Sequence, residues 1–349
     1  MNGSFTQGAS CPVPHADGER IEIGHGGGGK LTQRLIDTVF RPAFAKAPDE
    51  LTADAALIGQ HRRELAFTTD AYVVQPLVFP GGTIGSLAIN GTVNDILMVG
   101  ARPLAISAAF VIEEGFAIAD LRDIVRHMGE TAAEAGVRIV AGDTKVVERG
   151  KADGLYITTS GVGEVVSPRP IGPQEVVVGD VVLVSGDVGR HGMAVMAARE
   201  GLGFEPPIES DCAALGGPVL SLLEADIELH CLRDCTRGGL ATVLIEIAHC
   251  AEVTIAIEQA AVPVCEAVRG ACEILGLDPL YVANEGRFAA FVAAKDAERA
   301  LAILKTHDET AAVLGEVKPR AGITGLTMKT LGSELALDLQ TGEQLPRIC

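Results

Sequence analysis

The stretch Val137-Arg138-Ile139-Val140-Ala141-Gly142-Asp143-Thr144-Lys145 predicts a β-strand that runs directly into polar residues. Its first five residues are rich in β-branched side chains, which favour a strand, and Gly142 ends that pattern. The carboxylate of Asp143 therefore falls at the C-terminal end of a predicted strand, where ligands commonly meet sheets. Lys145 adds a positive charge two residues further on.

Alternating strand and helix patterns continue on both sides of this stretch. The apolar residues follow the spacing of a strand or of a helix in turn, and short clusters of Gly, Pro and polar residues separate them. The predicted elements are a hairpin over 57–74, a helix over 84–99, a strand over 104–112, a helix over 121–128 and a further strand over 156–162. The first half of the chain therefore has the predicted order β-β-α-β-α-β-β.

The proline-rich residues 167–173 predict a linker between two halves of the chain. The second half again mixes predicted strands (180–185, 253–257, 288–293 and others from 312 and 326) with helices (around 193, 215–229, after 239, 264–275 and 297–305). We therefore predict an α/β (α+β) fold made of two mixed-sheet domains. The predicted boundaries are 1–48 for an N-terminal segment with a glycine-rich loop, 49–167 and 173–331 for the two domains, and 332–349 for a mobile C-terminal tail.

The composition indicates a compact, acidic protein. With 349 residues, 48% hydrophobic residues and a formal net charge of −18, the chain can form two cores and lacks the clustered Lys and Arg that nucleic-acid backbones require. We therefore expect no nucleic-acid partner, and a polyphosphate ligand would be bound through divalent cations. The sequence shows no signal-peptide pattern, no bilayer-length apolar run and no framework spacing of its eight cysteines. These features predict a cytoplasmic protein with reduced thiols and no membrane contact.

Three aspartates lie near the ends of predicted elements in the first half. Asp70 follows a strand, Asp95 lies in an apolar helix that gives no reason to bury a charge, and Asp143 ends the opening strand. A single aspartate of this kind is usually a cap or a turn residue. Three of them, with Lys145 beside one, favour a site for Mg²⁺ bound to a nucleotide, because Mg²⁺ takes few carboxylate oxygens and completes its shell with phosphate.

Four consecutive glycines precede Lys30 at the start of a predicted helix. Such a loop can bring backbone N–H groups close to a phosphate, with Lys30 adding charge, but it can equally be a flexible linker. It lacks the Gly-Lys-Ser/Thr ending of a P-loop. The sequence leaves the two interpretations open.

The sequence closes with Pro346-Arg347-Ile348-Cys349. The residues after Gly332 extend to about 55–60 Å at most, so the terminal thiol can act as a tethered nucleophile that reaches a distant site. The alternative is a frayed terminus that happens to end in cysteine. In the first interpretation the tail has an exposed and an inserted state, and Pro346 and Ile348 register the inserted state, with Ile348 in an apolar slot.

Several motifs together resemble the HypE family of hydrogenase maturation proteins. They are Phe79-Pro80-Gly81-Gly82, Gly91-Thr92-Val93-Asn94-Asp95, Gly142-Asp143-Thr144-Lys145, Asp234-x-Thr236-Arg237-Gly238-Gly239-Leu240 and Pro346-Arg347-Ile348-Cys349. The resemblance covers nearly the whole chain, and the ending is its most specific part. The internal motifs alone indicate only the superfamily of aminoimidazole ribonucleotide synthetase, selenophosphate synthetase and thiamine-monophosphate kinase.

The resemblance implies both a fold and a reaction. The fold is two α/β domains of the aminoimidazole ribonucleotide synthetase type, with a sheet-mediated homodimer formed by the domain over 49–167 and ATP near the interface. In the implied reaction, the carbamoyltransferase HypF carbamoylates the terminal cysteine. A dehydration that hydrolyses ATP to ADP and phosphate then converts the thiocarbamate into a thiocyanate. The cyanide passes to the HypC–HypD complex, for the iron of a [NiFe] hydrogenase.

Residue roles follow from the resemblance and from the chemistry of a dehydration. Removing the carbamoyl oxygen requires its phosphorylation, a cation for the phosphate charge and a base for the N–H proton. In this hypothesis Cys349 carries the substrate, Lys145 meets the phosphoryl group and Glu285 takes the proton. The predicted ligands of Mg²⁺ with ATP are Asp70, Asp95 and Asp143, and the predicted nucleotide site adds Lys30, Asn94, Gly142 and Thr144.

Two other classes of function remain open at this point. A small-molecule kinase of the same superfamily would not need Cys349. A non-catalytic maturation scaffold that uses its tail only to dock a partner would need neither Lys145 nor the aspartates.

Overall fold

The structure is a computed structural model that describes residues 29–35, 56–58, 64–322, 325–341, 345 and 347–349. Its strands form two large sheets and one small hairpin, and helices pack against both sheets. This architecture confirms the predicted α/β (α+β) class with two mixed sheets. The domain boundaries and the mobility of residues 332–349 stay predictions.

The first sheet belongs to the N-terminal half. Its strands are β1 (Ala56–Ile58), β2 (Leu65–Tyr72), β5 (Ala101–Glu113), β6 (Arg138–Val147) and β7 (Leu155–Val165), and a separate hairpin contains β3 (Val78–Phe79) and β4 (Gly82–Thr83). The order across the sheet is β1-β2-β7-β5-β6, with β5 and β6 parallel and the other neighbours antiparallel. The helices of this half are α1 (Lys30–Leu35), α2 (Ile84–Met98) and α3 (Ile118–Glu134).

Helix α2 covers one face of this sheet. It begins with a capping box, in which the Thr83 hydroxyl accepts from the Ser86 backbone N–H and the Ser86 hydroxyl accepts from the Thr83 N–H. Nearly all of its side chains are buried against the sheet and α3, as expected for a helix that is apolar on every side. Asp95 is only half-buried, and one of its carboxylate oxygens accepts from the Thr68 hydroxyl of β2 at 2.7 Å.

The opposite face of the first sheet and its β6 edge are open. All residues of β6 except Val147 are exposed. Four apolar side chains on β5 and β6 have exposed fractions of 40–68%: Leu104, Ile139, Val140 and Val146. Exposed apolar side chains along an edge strand commonly mark an interface.

The second sheet belongs to the C-terminal half. Its strands are β8 (Val181–Val184), β9 (Leu229–Asp234), β10 (Val253–Glu258), β11 (Phe288–Val292), β12 (Ala312–Pro319), β13 (Leu326–Lys329) and β14 (Glu334–Leu337). The order is β14-β13-β10-β12-β8-β11-β9, and only β10 with β13 is parallel. The helices are α4 (Arg190–Glu200), α5 (Gly216–Glu224), α6 (Gly239–Cys250), α7 (Glu266–Leu275) and α8 (Ala297–His307). None of the helices within the described ranges is long and apolar enough to cross a membrane.

The two halves meet at α2 and at the residues that precede α5. The Asn94 side chain donates to the Ala213 carbonyl at 3.0 Å and accepts from the Leu215 N–H at 2.8 Å. Asn94 is 1% exposed, so these bonds satisfy polar groups that would otherwise be buried without partners. The structure thus shows Asn94 joining the two halves, and its place in the nucleotide site stays a prediction.

Two of the predicted elements are wrong in their extent. The helix predicted over 215–229 ends at Glu224, and the strand β9 follows it. Asp226 adopts a left-handed backbone conformation (φ 51°) after α5, and no glycine or proline marks that break in the sequence. Strand β6 does not end at Gly142, because its pairing with β5 continues as far as Glu113 opposite Val147. Asp143 therefore lies within a strand.

Candidate active site

The last three residues lie against the chain that follows β2. The Val73 N–H donates to the Cys349 carbonyl at 3.1 Å, and the Gln75 N–H donates to the Arg347 carbonyl at 3.2 Å. The Ile348 side chain is 3% exposed and belongs to the hydrophobic core, which confirms the prediction that it fills an apolar slot. The structure therefore presents the inserted form of the tail. Pro346 lies outside the described residues.

Side chains of both halves also hold this ending. The Arg347 guanidinium donates to the Val73 carbonyl at 3.1 Å and forms an ion pair with Asp153. Arg199 of α4 donates to the Arg347 carbonyl at 2.6 Å. The His191 ring, also on α4, lies 2.9 Å from the Ile348 carbonyl through Nε2. Each of the last three carbonyls therefore accepts a hydrogen bond from the body of the protein.

The cation Arg237 interacts electrostatically with Cys349 at the end of the tail. The pKa of Arg237 is raised, first by the negative charge at Cys349 and then, against the opposing effect of burial, by Asp70 and Glu285. Arg237 itself is an exposed residue in the turn between β9 and α6. Arg237 is therefore the cation that interacts both with the half-buried cysteine and with two carboxylates, Asp70 of strand β2 and Glu285 of the segment before β11.

Glu285 carries a buried carboxyl group that is 3% exposed. Its Oε1 atom accepts no hydrogen bond from the residues that the structure describes. Burial is the largest cause that raises its pKa well above the usual value, and the charges of Asp234, Asp70 and Asp211 raise it further. A carboxylate of raised pKa takes a proton more readily near neutral pH, as a general base must. The sequence predicted this role but did not predict the burial.

Asp211 fixes the backbone on which Glu285 sits. Its Oδ2 accepts from the N–H groups of Glu285 (3.1 Å) and Gly286 (2.9 Å), and its Oδ1 accepts from the His191 N–H (2.9 Å). Three backbone donors satisfy a carboxylate that is only 8% exposed. An added Cβ at Gly286 would lie 1.9 Å from the Asp211 carbonyl oxygen, so this close approach requires glycine.

Asp70 and Asp95 lie near one another on the helix-covered side of the first sheet. Both charges raise the pKa of the buried Tyr72, after the larger effect of burial itself. Asp70 Oδ1 accepts from the Ala71 N–H at 2.8 Å, and Asp95 accepts from Thr68. These two of the three predicted metal ligands are therefore brought together, on the side where the tail is inserted.

Asp143 lies on the opposite face. It is paired in register with Ala109, Ala109 with Thr158, and Thr158 with Ala71. Paired residues on neighbouring strands share a face, and successive residues alternate, so Asp143 shares the face of Ala71 and not that of Asp70. Three strand spacings, about 14 Å, separate the two strands. Within one chain the structure does not bring the three aspartates together.

The neighbours of Asp143 on β6 are exposed as well. The Lys145 ammonium lies 2.8 Å from the Asp143 carboxylate, and the Thr144 N–H donates to the same group at 2.8 Å. Lys145 and this N–H together hold the pKa of Asp143 below its usual value. Gly142 is required by packing, since an added Cβ would lie 2.6 Å from the Ala108 carbonyl oxygen.

Lys30 stands apart from these groups. It begins the six-residue helix α1, and its ammonium forms an exposed ion pair with Asp338 at 2.7 Å. Its backbone N–H donates to the Gln340 carbonyl at 3.2 Å. The predicted phosphate-binding glycines before Gly29 lie outside the described residues, so both interpretations of that loop remain open.

The carboxylates fit a magnesium ion that a nucleotide shares. Within the ranges described, no three His, Cys, Asp or Glu side chains converge as a complete metal site. Asp70 and Asp95 nevertheless offer hard oxygen donors on one side of the sheet, and Mg²⁺ commonly binds one or two carboxylates and completes its shell with phosphate and water. The donor set matches that chemistry only when phosphate is present.

Four residues of this site were missing from the predicted set: His191, Asp211, Asp234 and Arg237. Asp234 and Arg237 lie in a motif that carried the family resemblance, and their role was hidden because β9 was not predicted as a strand. A strand ending in Asp, followed by a Gly-Gly turn and a helix, is the pattern that could have revealed them. Nothing in the local sequence distinguishes His191 or Asp211.

Comparisons with known proteins agree with this fold. Residues 52–165 match the family "AIR synthase related protein, N-terminal domain", and residues 177–326 match "AIR synthase related protein, C-terminal domain". The carbamoyl dehydratase HypE of Rhodobacter capsulatus is 48% identical over 337 residues, which cover 95% of this chain and 98% of that protein.

Two solved structures are also similar. A HypE in complex with ATP has a TM-score of 0.79 and 43% identity, covering 94% of this chain and 99% of that one. A HypE–HypF complex contains a chain with a TM-score of 0.81 and 46% identity, covering 88% of this chain and 99% of that one. The two family matches, together with near-half identity over almost the whole length, show that this chain belongs to the HypE family of hydrogenase maturation proteins.

Proposed function

We propose that this chain is an ATP-dependent carbamoyl dehydratase that converts an S-carbamoyl group on Cys349 into an S-cyano group. The observation that carries the proposal is the inserted tail, whose Cys349 interacts electrostatically with Arg237, the same cation on which Asp70 and the buried Glu285 act. The R. capsulatus relative bears the name carbamoyl dehydratase, and a solved relative was obtained with ATP. Both facts support the assignment.

The reaction has two steps on one carbamoyl group: transfer of a phosphoryl group to its oxygen, and elimination of phosphate. The carbamoyl oxygen attacks the γ-phosphorus of ATP, the bond from that phosphorus to the bridging oxygen breaks, and ADP leaves. The C–O bond then breaks, phosphate leaves with the oxygen, and the nitrogen loses its two protons as the C≡N bond forms. The net change is loss of the elements of water from the thiocarbamate, with ATP hydrolysed to ADP and phosphate.

The residues around the tail suit these steps. Glu285 accepts a proton from nitrogen, and its raised pKa makes it a stronger base than an exposed carboxylate. Arg237 faces the developing phosphate charge and supplies a cation from the same chain. The low polarity around the buried carboxyl strengthens both electrostatic effects. Hydrogen bonds to the three tail carbonyls hold the carbamoyl group in place, which removes much of the entropic cost of the reaction.

A homodimer gives Asp143 and Lys145 their place in this proposal. Both residues lie on the open face, at the exposed edge strand β6. A second copy packed on that face would cover it, and in this proposal the copy's own Asp143 and Lys145 reach past the β6 edge to the first copy's nucleotide, because Asp70 and Asp95 face the other side of the sheet. Lys145 then meets the phosphoryl group, as predicted, from the other subunit.

Mg²⁺ bound with ATP would be held by Asp70 and Asp95 of one chain, with Asp143 of the second copy and phosphate oxygens. The bound Mg²⁺ would neutralise part of the negative charge of the polyphosphate. The residues of this chain orient the tail, exclude water around Ile348 and remove the protons from nitrogen.

The partners follow from the two ends of the reaction. HypF is the proposed source of the carbamoyl group, since a solved relative was obtained as a HypE–HypF complex. The HypC–HypD complex is the proposed acceptor of the cyanide, for the iron of a [NiFe] hydrogenase in the cytoplasm. Both exchanges require the tail to leave the inserted position.

The experiment is intact-mass analysis after incubation with HypF, carbamoyl phosphate and ATP. We expect a carbamoyl-sized gain that then loses one water, in the wild type only and only with hydrolysable ATP. The Cys349→Ala variant should show neither change, whereas Cys250→Ala, at a cysteine of α6, should behave as the wild type does. A wild type that forms no adduct but phosphorylates a small acceptor would replace this proposal with the kinase, and normal dehydration by Glu285→Gln would remove that residue from the mechanism.

A further inference from the structure

We propose that His191 is the positioning residue that holds the inserted tail in register with Glu285, an inference that rests on the proposed function. The path has three hydrogen bonds. The His191 ring contacts the Ile348 carbonyl at 2.9 Å, the His191 backbone N–H donates to Asp211 Oδ1 at 2.9 Å, and Asp211 Oδ2 accepts the Glu285 N–H at 3.1 Å. His191 and Asp211 therefore join Ile348, the residue before the reacting cysteine, to Glu285, the residue proposed to take a proton from the carbamoyl nitrogen.

The surroundings of His191 leave its ring little freedom. The residue is 0% exposed and is the second residue of α4. Its ring meets the Phe79 ring edge-on, with centroids 5.3 Å apart and an interplanar angle of 88°. The Ser210 hydroxyl lies 2.8 Å from Nδ1. A ring held on two sides in this way points Nε2 at one place, which the tail occupies.

The hydrogen-bond partners assign the proton on this ring. A backbone carbonyl can only accept, so Nε2 carries the hydrogen and donates to Ile348. Burial lowers the pKa of His191, so Nδ1 stays unprotonated and accepts from the Ser210 hydroxyl. The Ser210 hydroxyl oxygen in turn accepts from the Cys212 N–H at 3.0 Å. The ring is therefore a neutral donor aimed at the tail.

Because of this arrangement, the buried His191 ring needs the tail as the acceptor for its Nε2–H group. When the tail is inserted, both ring nitrogens are paired. When the tail leaves to meet its carbamoyl donor, the Nε2–H group loses the Ile348 carbonyl as its acceptor. The surroundings of that group include the apolar slot that the Ile348 side chain has left. A buried donor without a partner is unfavourable, so His191 shifts the equilibrium towards the inserted tail. The same bond sets the depth of the tail, because it fixes the carbonyl immediately before Cys349.

Two polar substitutions separate this role from a merely structural one. His191→Gln places an amide N–H close to the position of Nε2 and keeps the bond to Ile348. His191→Asn places its amide near Nδ1, so it keeps the bond to Ser210 and loses the bond to the tail. Both variants remove the ring and its contact with Phe79 equally, which makes them a matched pair. His307→Asn, on the exposed end of α8, is the control substitution.

The first readout is the alkylation rate of Cys349 by iodoacetamide, measured on the C-terminal peptide of the full-length protein without ATP. We expect His191→Asn to raise this rate by about tenfold, the effect of losing one buried hydrogen bond. His191→Gln and His307→Asn should stay within about twofold of the wild type. Equal rates in the Asn and Gln variants would overturn the inference, whether both stay slow or both become fast. Thermal melts of the same samples identify a variant that does not fold. If His191→Asn does not fold, the alkylation rate of His191→Gln is compared with that of the wild type, and a difference of more than about twofold would overturn the inference.

The second readout is the mass change in the presence of HypF, carbamoyl phosphate and ATP. His191→Asn should gain the carbamoyl group at least as fast as the wild type and lose water about tenfold more slowly. Slowing of both steps alike would overturn the positioning role. If the wild type never loses water, the proposed function fails, but the alkylation comparison still tests whether His191 holds the tail.

Discussion

On the helix-covered face of the first sheet, Asp70 and Asp95 lie near the buried Tyr72, whereas on the open face the Asp143 carboxylate forms an ion pair with Lys145. The covered face is buried under α2, and its charges act at close range on the buried Tyr72 and Glu285. The open face is exposed and includes Phe67, which is 38% exposed. One sheet thus presents chemistry on one side and, in our proposal, an interface on the other.

The contrast shows how alternation along a strand divides a site. Residues that look equivalent in the sequence, each an aspartate near an element end, fall on opposite faces because successive side chains of a strand alternate. The covered face can act within one chain. The open face contributes only if a second copy supplies its residues.

The largest effect is expected on the covered side, from Glu285→Gln. Removing the proposed base should slow loss of water from carbamoylated Cys349 by about 100-fold or more, while ATP binding and carbamoylation continue. Mass analysis and nucleotide titration measure the two properties. Glu309→Gln, an exposed position before β12, is the matched control and should react as the wild type does.

The same substitution should change how stability depends on pH. The pKa of Glu285 is raised by burial and by neighbouring carboxylates, so above the ordinary carboxyl pKa the folded state binds this proton more tightly than the unfolded chain. The wild type therefore loses stability through this group as pH rises above about 4.5. Glu285→Gln has no such proton and should be more stable than the wild type at neutral pH in chemical denaturation. Parallel curves for the two proteins between acidic and neutral pH would contradict the raised pKa.

A smaller effect is expected from Val140→Lys on the open face. If a second copy covers β6, a lysine there would be buried without a partner, and the dimer dissociation constant should rise by about 100-fold. Sedimentation over a range of concentrations measures it. Ile118→Lys, at another exposed apolar position at the start of α3, is the control. Loss of dimer in both variants, or in neither, would argue against the open sheet face as the interface.

The smallest structural effect is expected from Lys145→Ala. Its ion pair with Asp143 is exposed, so the melting temperature should not change measurably. Dehydration should nevertheless slow by about tenfold, because a charge at the phosphoryl group would be lost across the dimer. Lys151→Ala in the neighbouring turn should change neither property. A normal rate in Lys145→Ala would leave Arg237 as the cation that the reaction uses.

Much of the fold could be predicted because local patterns determine it. The apolar residues of α2 and the β-branched run of β6 identify a helix and a strand without tertiary information. The break after α5 could not be predicted. Asp226 follows the helix in a left-handed backbone conformation, and an aspartate in the sequence does not by itself indicate that conformation. The length of β6 was underestimated, because pairing with β5 carries the strand past Gly142.

The candidate site divides in the same way. The sequence by itself determined the thiol of Cys349, the carboxylates Asp70 and Asp95, and the family motifs, because residue type and spacing are enough to recognise them. Only the tertiary structure decided that Asp143 faces away from Asp70, that Glu285 is buried, and that His191 meets the Ile348 carbonyl. These facts depend on strand register, on burial and on a contact between residues 157 positions apart, and no local pattern encodes them.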